Sequence, residues 1–248
     1  MISKNQIKYL QSLYQKKYRQ MYGKFLVEGR KTVNDLLLSD FKVSTIYATN
    51  EWQAETALNS DIVVEIVTQD ELAKISSHES PDKAVAIAEI PENIFIDKLG
   101  KGKYLLLDQI NDPGNAGTII RTAHWFGWDG VILTQNSVDI FNPKTISAAK
   151  GSLFNIPVHY CRNAIALLPE SKKKIYGAFM DGENIYTSEL DEDCILIIGN
   201  EANGISEELI PFINHKISIP KIGGGESLNA GIASAIMMSE WAKNKFVK

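Results

Sequence analysis

The 248-residue chain predicts an α/β protein in two parts, a smaller amino-terminal α/β unit and a larger one built on a mostly parallel sheet. Three observations predict this. Short strands alternate with short helices from Phe25 to about Ala88, the pattern of a layered α/β domain. Continuous apolar runs in the second half, "YLLL" and "ILII", suit strands covered on both faces, hence parallel ones. Three strands there leave through turns that carry Asn and Gly and then enter a helix.

The opening stretch, "MISKNQIKYLQSLYQKKYRQ", reads as a basic helix. Residues 1–31 hold eight Lys/Arg (4, 8, 16, 17, 19, 24, 30 and 31) against Glu28 alone, a local +7 on a chain of net charge −4. Such asymmetry fits a nucleic-acid-facing segment on an acidic body, or a solvated basic helix with no partner. Tyrosines 9, 14, 18 and 22 fall roughly along one helical side, where core packing and base stacking both account for them. Next, "KFLVEGRKTVNDLLLS" starts as a strand and passes into a helix with Val33, Leu36 and Leu37 at helical spacing. "VSTIYAT" is a strand, "EWQAETALN" a helix, "IVVEIVT" a strand, "QDELAKISS" a helix and "KAVAIAEI" a strand. "EIPENIFIDKLGKGK", with its Pro, charges and glycines, reads as a linker. It places the boundary near residue 98, giving domains 1–97 and 98–248.

The second half alternates more regularly. Strand "KYLLLDQI" leads through "NDPGNAG" to helix "TIIRTAHWFG". "GVILTQ" is a strand, "NSVDIFNPKTISAAKGSLF" a loop and helix, and "IPVHY" and "KKIYGAFM" are strands. "CILIIGN" leads through "EANG" into a helix at "ISEELIPF". "HKISIP" leads through a glycine loop into the last helix, 229–243.

Composition excludes several function classes. With 44% apolar and 23% charged residues the chain has a globular core, and no run approaches the roughly 18 apolar residues of a membrane span. The basic start lacks an apolar leader stretch, which points to the cytoplasm. Cys161 and Cys194 lack metal-ligand spacing and read as buried thiols, and the histidines (78, 124, 159 and 215) are dispersed, so no metal site is expected. A glycine loop between strand and helix, here Gly223, Gly224 and Gly225, indicates backbone lying close to a ligand. No phosphate cradle fits. Ser227 follows Glu226 rather than a Lys, and no G-x-G-x-x-G opens a helix.

The three exits are "LLLDQINDPGNAGTIIRTA", "ILIIGNEANGIS" and "ISIPKIGGGESLNAGIA". In open parallel sheets ligands bind beyond the carboxyl ends of strands, where such loops gather. In this order, with Arg121 and Glu201 planted in them, the loops resemble the three motifs of the SpoU (TrmH-type) family of RNA ribose 2′-O-methyltransferases, in the SPOUT superfamily. "FLVEGRKTVNDLL" and "SSHESPDKAVAIAEI" are similar to the family's amino-terminal substrate-binding domain, itself related to a ribosomal-protein RNA-binding fold. Two departures are minor: Ala202 replaces a commoner Gly, and Gly231 stands where a Ser is frequent.

The resemblance implies a fold and a site. The carboxyl-terminal chain would be tucked through a loop into a trefoil knot, with S-adenosylmethionine bent inside it. Gly199, Ile219 and Leu228 would contact the cofactor through backbone and apolar surface, with Asn200 and Ser227 as further contacts. Asn115, Arg121, Glu201 and Asn229 would form the catalytic set. Arg121 is either the base or, because a guanidinium stays protonated, a ligand of the RNA phosphate or the developing alkoxide. In the second case a phosphate oxygen, water or Glu201 takes the proton, while Glu201 also reads as a helix-start carboxylate. Arg19, Lys24, Arg30 and Lys31 are the RNA-facing cations of the amino-terminal part. The resemblance also implies a homodimer in which one protomer completes the other's site, and ribosomal rather than transfer RNA as substrate. Rival readings are a transfer-RNA methyltransferase, a catalytically silent RNA-binding protein of the same fold, and a nucleotide-dependent oxidoreductase, whose glycine fingerprint is missing.

Overall fold

In the computed structural model of the chain, which describes residues 1–56, 62–78 and 80–246, the opening stretch forms two helices rather than one. Helix α1 (Lys4–Ser12) starts on a capping box between Ser3 and Gln6. The chain then turns through the buried Leu13, and α2 (Lys16–Tyr22) ends on Gly23, whose left-handed φ of +62° suits glycine. Then come β1 (Lys24–Glu28), α3 (Arg30–Leu37), β2 (Val43–Ala48), α4 (Asn50–Glu55), β3 (Val63–Ile66), α5 (Gln69–Ile75) and β4 (Ala84–Glu89). Residues 57–59 of the helix expected over 51–59, and Glu79 of "SSHESPDK", lie outside the described residues. Further on are β5 (Phe95–Ile96), β6 (Lys103–Leu107), α6 (Pro113–Trp125), β7 (Gly130–Thr134), α7 (Pro143–Ala149) and β8 (Val158–Cys161). The chain finishes with α8 (Ala164–Ser171), β9 (Lys174–Asn184), β10 (Cys194–Ile198), β11 (His215–Ser218) and α9 (Ala230–Phe246).

The chain divides into two compact units, Met1–Glu92 with Asp139–Asn155, and Asn93–Val138 with Ile156–Lys248. In the first, a four-stranded sheet of order β1-β4-β2-β3 pairs β4 antiparallel with both β1 and β2. Leu10, Leu13, Leu26, Leu72, Ile75 and Val85 fill its core. Nothing in the sequence of 139–155 marks it as part of this unit, yet the Phe141 ring lies 4.5 Å from that of Phe25, and Phe154 lies 5.3 Å from Phe41. Asp139 also overturns an expectation. Arg19, expected to face RNA, is only 2% exposed, and its Nε and Nη2 donate to Asp139 Oδ2 at 3.0 and 2.6 Å. Its Nη1 donates to the Leu13 carbonyl at 2.9 Å. A buried guanidinium with three such bonds is committed to holding the fold.

The second unit carries a seven-stranded sheet of order β11-β9-β10-β6-β7-β8-β5, parallel in every pair. Its edge strand β5 comes from the stretch read as a linker, and α8, capped by the Asn163 side chain, falls where no helix was expected. From β6 the chain builds outward through β7 and β8, then returns to add β10 on the other side of β6. Strand order therefore reverses between β6 and β10, which creates a crevice at their carboxyl ends.

Two irregularities shape that crevice. Strand β9 pairs with β11 in two pieces, Tyr176 and Gly177 against His215 and Lys216, then Glu183 and Asn184 against Ile217 and Ser218. Residues 178–182 are thereby pushed out of the ladder. The crowding shows at Gly182, where an added Cβ would meet Ile217 backbone atoms at 2.6 and 2.7 Å. The helix expected at "ISEELIPF" is absent, and only a 3₁₀ turn, Ile210–Phe212, forms. Ser206 is pinned to Asp108 through its N–H and hydroxyl at 2.7 and 2.6 Å, so too few residues remain before Pro211 for helical turns to develop.

Candidate active site

Three strand exits build the site. After β6, Gln109 takes a φ of +55°, uncommon for a residue with a side chain. It is held there by its N–H to Thr134 Oγ1 at 3.0 Å and by the Asn200 amide, which donates to its carbonyl at 2.8 Å. Asp112 then caps α6, accepting from Asn115 N at 2.7 Å, with Pro113 opening the first turn. This fixes Asn115 in that turn.

After β10, Asn200 organises the loop. Its N–H and carbonyl pair with Gly204 at 2.9 and 2.8 Å, and its Oδ1 accepts from Ala202 N and Asn203 N at 2.9 and 3.2 Å. The loop folds back so tightly that a Cβ on Gly199 would overlap the backbone of Gly204 and Ile205. Asp108, only 2% exposed, ties this loop to the β6 exit through Ser206.

After β11 the picture differs. Residues 220–229 are all exposed, Ile222 at 99% and Leu228 at 50%. A Cβ on Gly223, Gly224 or Gly225 would meet nothing within 4 Å. These glycines therefore do not serve a close approach of one protein backbone to another. Gly199 does that, and the triplet borders open space. Asn229 then caps α9, its Oδ1 accepting from Gly231 N and Ile232 N at 2.9 and 3.2 Å. The Ser-to-Gly departure at 231 has a reason, since an added Cβ would lie 3.1 Å from Asn229 Oδ1 and 3.4 Å from Thr118 Cγ2.

The exits meet in one hydrogen-bonded chain. Asn229 Nδ2 donates to Asn115 Oδ1 at 2.8 Å, and Asn115 Nδ2 donates to Glu201 Oε1 at 2.5 Å. An ionised carboxylate only accepts, so Glu201 fixes which end of the Asn115 amide faces it and which is left for Asn229. Beside this chain lies a cavity of about 520 Å³. Gly199, Asn200, Glu201, Ile219, Ser227 and Leu228 all line it, with Ile198, Ala233 and Met237 beneath. Ala178, Phe179 and Met180, from the displaced part of β9, form a wall that sequence reasoning missed. Asp108 was missed too, although an acid directly after a buried apolar strand was the available signal.

Not every expected residue joins. Arg121 is exposed on α6 and is not among the residues lining the cavity. Arg30 is exposed and paired with Glu55 at 3.1 Å, Lys31 is exposed and Lys24 half-buried, all in the first unit. Burial pushes the Cys161 thiol up to about 11 and Cys194 up to about 12, so neither supplies a thiolate near neutral pH. Among the described residues no group of three or more His, Cys, Asp or Glu could hold a metal ion, and no helix is long and apolar enough to cross a membrane.

Known proteins match the chain over nearly all of its length. Residues 102–239 match the SpoU rRNA methylase family, and residues 4–86 match an MRM3-like substrate-binding domain. The chain is 35% identical over 242 residues to the 23S rRNA (guanosine(2553)-2′-O)-methyltransferase RlmP of Bacillus subtilis, covering 95% of this chain and 96% of that protein. A TrmH-family structure from Porphyromonas gingivalis superposes with a TM-score of 0.90 at 35% identity, over 98% of this chain and 99% of that one. The AdoMet-bound rRNA methyltransferase from Sinorhizobium meliloti superposes with a TM-score of 0.87 at 29% identity, over 100% of this chain and 98% of that one.

Proposed function

The chain belongs to the SpoU rRNA methylase family, and from that premise we propose that it transfers a methyl group from S-adenosylmethionine to a ribose 2′-hydroxyl of RNA, with ribosomal RNA as the substrate. The observation that carries the reading is the Asn229–Asn115–Glu201 chain at the rim of the cavity, since it joins residues from all three strand exits.

The cavity fits the cofactor. Its volume of about 520 Å³ lies in the range of small-molecule pockets. Apolar Ile198, Ile219, Leu228 and Met237 suit a nucleoside and thioether, and Glu201 and Glu226 suit a cationic ligand. Gly199, Ile219 and Leu228 would hold the cofactor through backbone and apolar contacts, with Ser227 beside them in the lining. Asn200, whose amide is committed to the loop, contributes by shaping it. When bound, S-adenosylmethionine would supply an electrophilic methyl carbon for in-line attack by a ribose oxygen, with the C–S bond breaking and S-adenosylhomocysteine, a neutral thioether, as the leaving group.

The chain's own residues prepare that oxygen. Asn115 and Asn229 hold the loops in register and orient the ribose. Glu201, with Oε1 occupied by Asn115, presents Oε2 to receive the hydroxyl proton. Arg121 acts by charge on the RNA phosphate or the developing alkoxide. In the homodimer that the family resemblance implies, it serves the cavity of a second copy. Trp125, 82% exposed one turn later on α6, and Ile232, 54% exposed on α9, give the homodimer an apolar contact. The tucked carboxyl-terminal chain belongs to the same reading. Residues 219–229 run from β11, at the sheet edge, past the exits of β9 and β10 to reach α9, which packs on α6. A ribosomal RNA substrate places the protein in the cytoplasm.

Incubation of purified protein with methyl-tritiated S-adenosylmethionine and total RNA tests the reading. Label is expected in ribosomal RNA on ribose, recovered as alkali-resistant dinucleotides. Label in transfer RNA alone, on bases, or nowhere overturns it. Mixing two inactive variants, Arg121→Ala and Asn115→Ala, tests the shared site. Activity should return if Arg121 serves the partner's cavity and stay absent if it serves its own.

A further inference from the structure

We infer that Tyr18 and Tyr22, flanked by Tyr9 and by Lys16, Lys17 and Lys24, form a docking surface for an unpaired stretch of the substrate RNA, whose bases stack on the tyrosine rings. The inference rests on the reading above that the substrate is RNA, and it places one contact of that substrate.

The break between α1 and α2 sorts the four amino-terminal tyrosines. Tyr14 turns inward, its hydroxyl donating towards Glu28 at 3.0 Å and the Ile75 carbonyl at 2.9 Å. Tyr9 packs half-buried against the same core, while Tyr18 and Tyr22 lie outside that cluster. The Tyr18 and Tyr22 rings are stacked at 6.2 Å and 16°, and Tyr9 meets Tyr22 edge-on at 5.1 Å. Tyr22 is 42% exposed. Core packing does not account for a stacked pair left at the surface.

The charge around the rings selects the partner. No Asp or Glu precedes Glu28 in the chain. Lys16 and Lys17 are exposed, Lys24 is half-buried, and among the described residues none of the three forms an ion pair. Lys17 Nζ stands 5.8 Å from the Tyr18 ring centroid. Cations beside open aromatic faces match a phosphate backbone beside unstacked bases. Paired RNA keeps its base faces stacked and would use only the lysines. Arg19 is neutralised by Asp139, so the surface depends on the lysines.

The test is binding of a fluorescein-labelled single-stranded RNA of about ten mixed-sequence nucleotides, measured by anisotropy against a duplex of the same length. Tyr18→Ala and Tyr22→Ala are each expected to weaken single-strand binding at least about fivefold and to leave duplex binding unchanged. Tyr22→Trp should retain binding while Tyr22→Leu loses it, which separates stacking from packing. Replacing Lys16 and Lys17 by Gln should lower the salt slope of log K by about 1.4. Single-strand affinity that survives both alanine changes, or Trp and Leu variants that bind alike, overturns the inference. If the wild-type protein still methylates ribose in that case, only the docking surface is wrong. Absence of methyl transfer by the wild-type protein would instead sink the functional reading.

Discussion

Two loops at one end of one sheet, 199–206 after β10 and 219–229 after β11, are written in the same residues and do opposite things. The first is closed on itself by the Asn200–Gly204 pairs, tied to the β6 exit through Asp108, and so tight at Gly199 that only glycine fits. Among the described residues, no hydrogen bond holds 219–228 to the rest of the chain, and its three glycines have room for a side chain. One loop is a scaffold built by folding, and the other borders the cavity, where the proposed function has the cofactor order it. A glycine therefore carries no single meaning at a strand exit. Backbone neighbours demand it at Gly199, and open space borders it at Gly223–Gly225.

The largest expected effect breaks the scaffold. Gly199→Ala drives a methyl into backbone that has no rotamer to yield, so it should cost about 3 kcal/mol or more. That lowers Tm by roughly 6–12 °C in a chain of this size. A melting curve like that of the wild type would show that the crossing is looser than described. Asp108→Ala comes next. It leaves the half-buried Ser206 N–H and hydroxyl without their acceptor, at about 1–2 kcal/mol, and thermal unfolding with and without cofactor reads it.

Asn115→Ala sharpens the comparison by sparing both loops while cutting the chain between them. Turnover should fall about a hundredfold with Tm moving far less than in Gly199→Ala. Equal damage to stability and turnover would make Asn115 a structural residue. The smallest effect on stability belongs to the opposite loop. Gly225→Ala, at a residue that lines the cavity, should leave Tm within about 2 °C yet weaken S-adenosylmethionine binding by calorimetry. A clear loss of stability with unchanged affinity would reverse the roles assigned to the two loops.

Much of this was legible in residues. Asn115, Glu201 and Asn229 are picked out by the resemblance of three turns to the family's motifs, and the structure joins them across 86 and 114 positions of sequence. Gly199, Asn200, Ile219, Ser227 and Leu228 reach one cavity because parallel strands deliver their exits to one edge. What escaped depends on partners distant in sequence. Arg19 looks like a surface cation until Asp139, 120 positions away, buries it. Ala178–Met180 read as ordinary strand residues because their displacement is set by how β11 pairs with β9. The stretch after Gly204 reads as a helix, but Ser206 is held to Asp108 before a turn can form.

Hydrogen exchange of backbone amides, followed by mass spectrometry with and without saturating S-adenosylmethionine, tests the central claim most directly. Amides of 199–206 should be protected in both states, while those of 219–228 should exchange fast alone and slow sharply once the cofactor is added. Unchanged exchange across 219–228, or new protection only in a segment away from the cavity, would contradict the account.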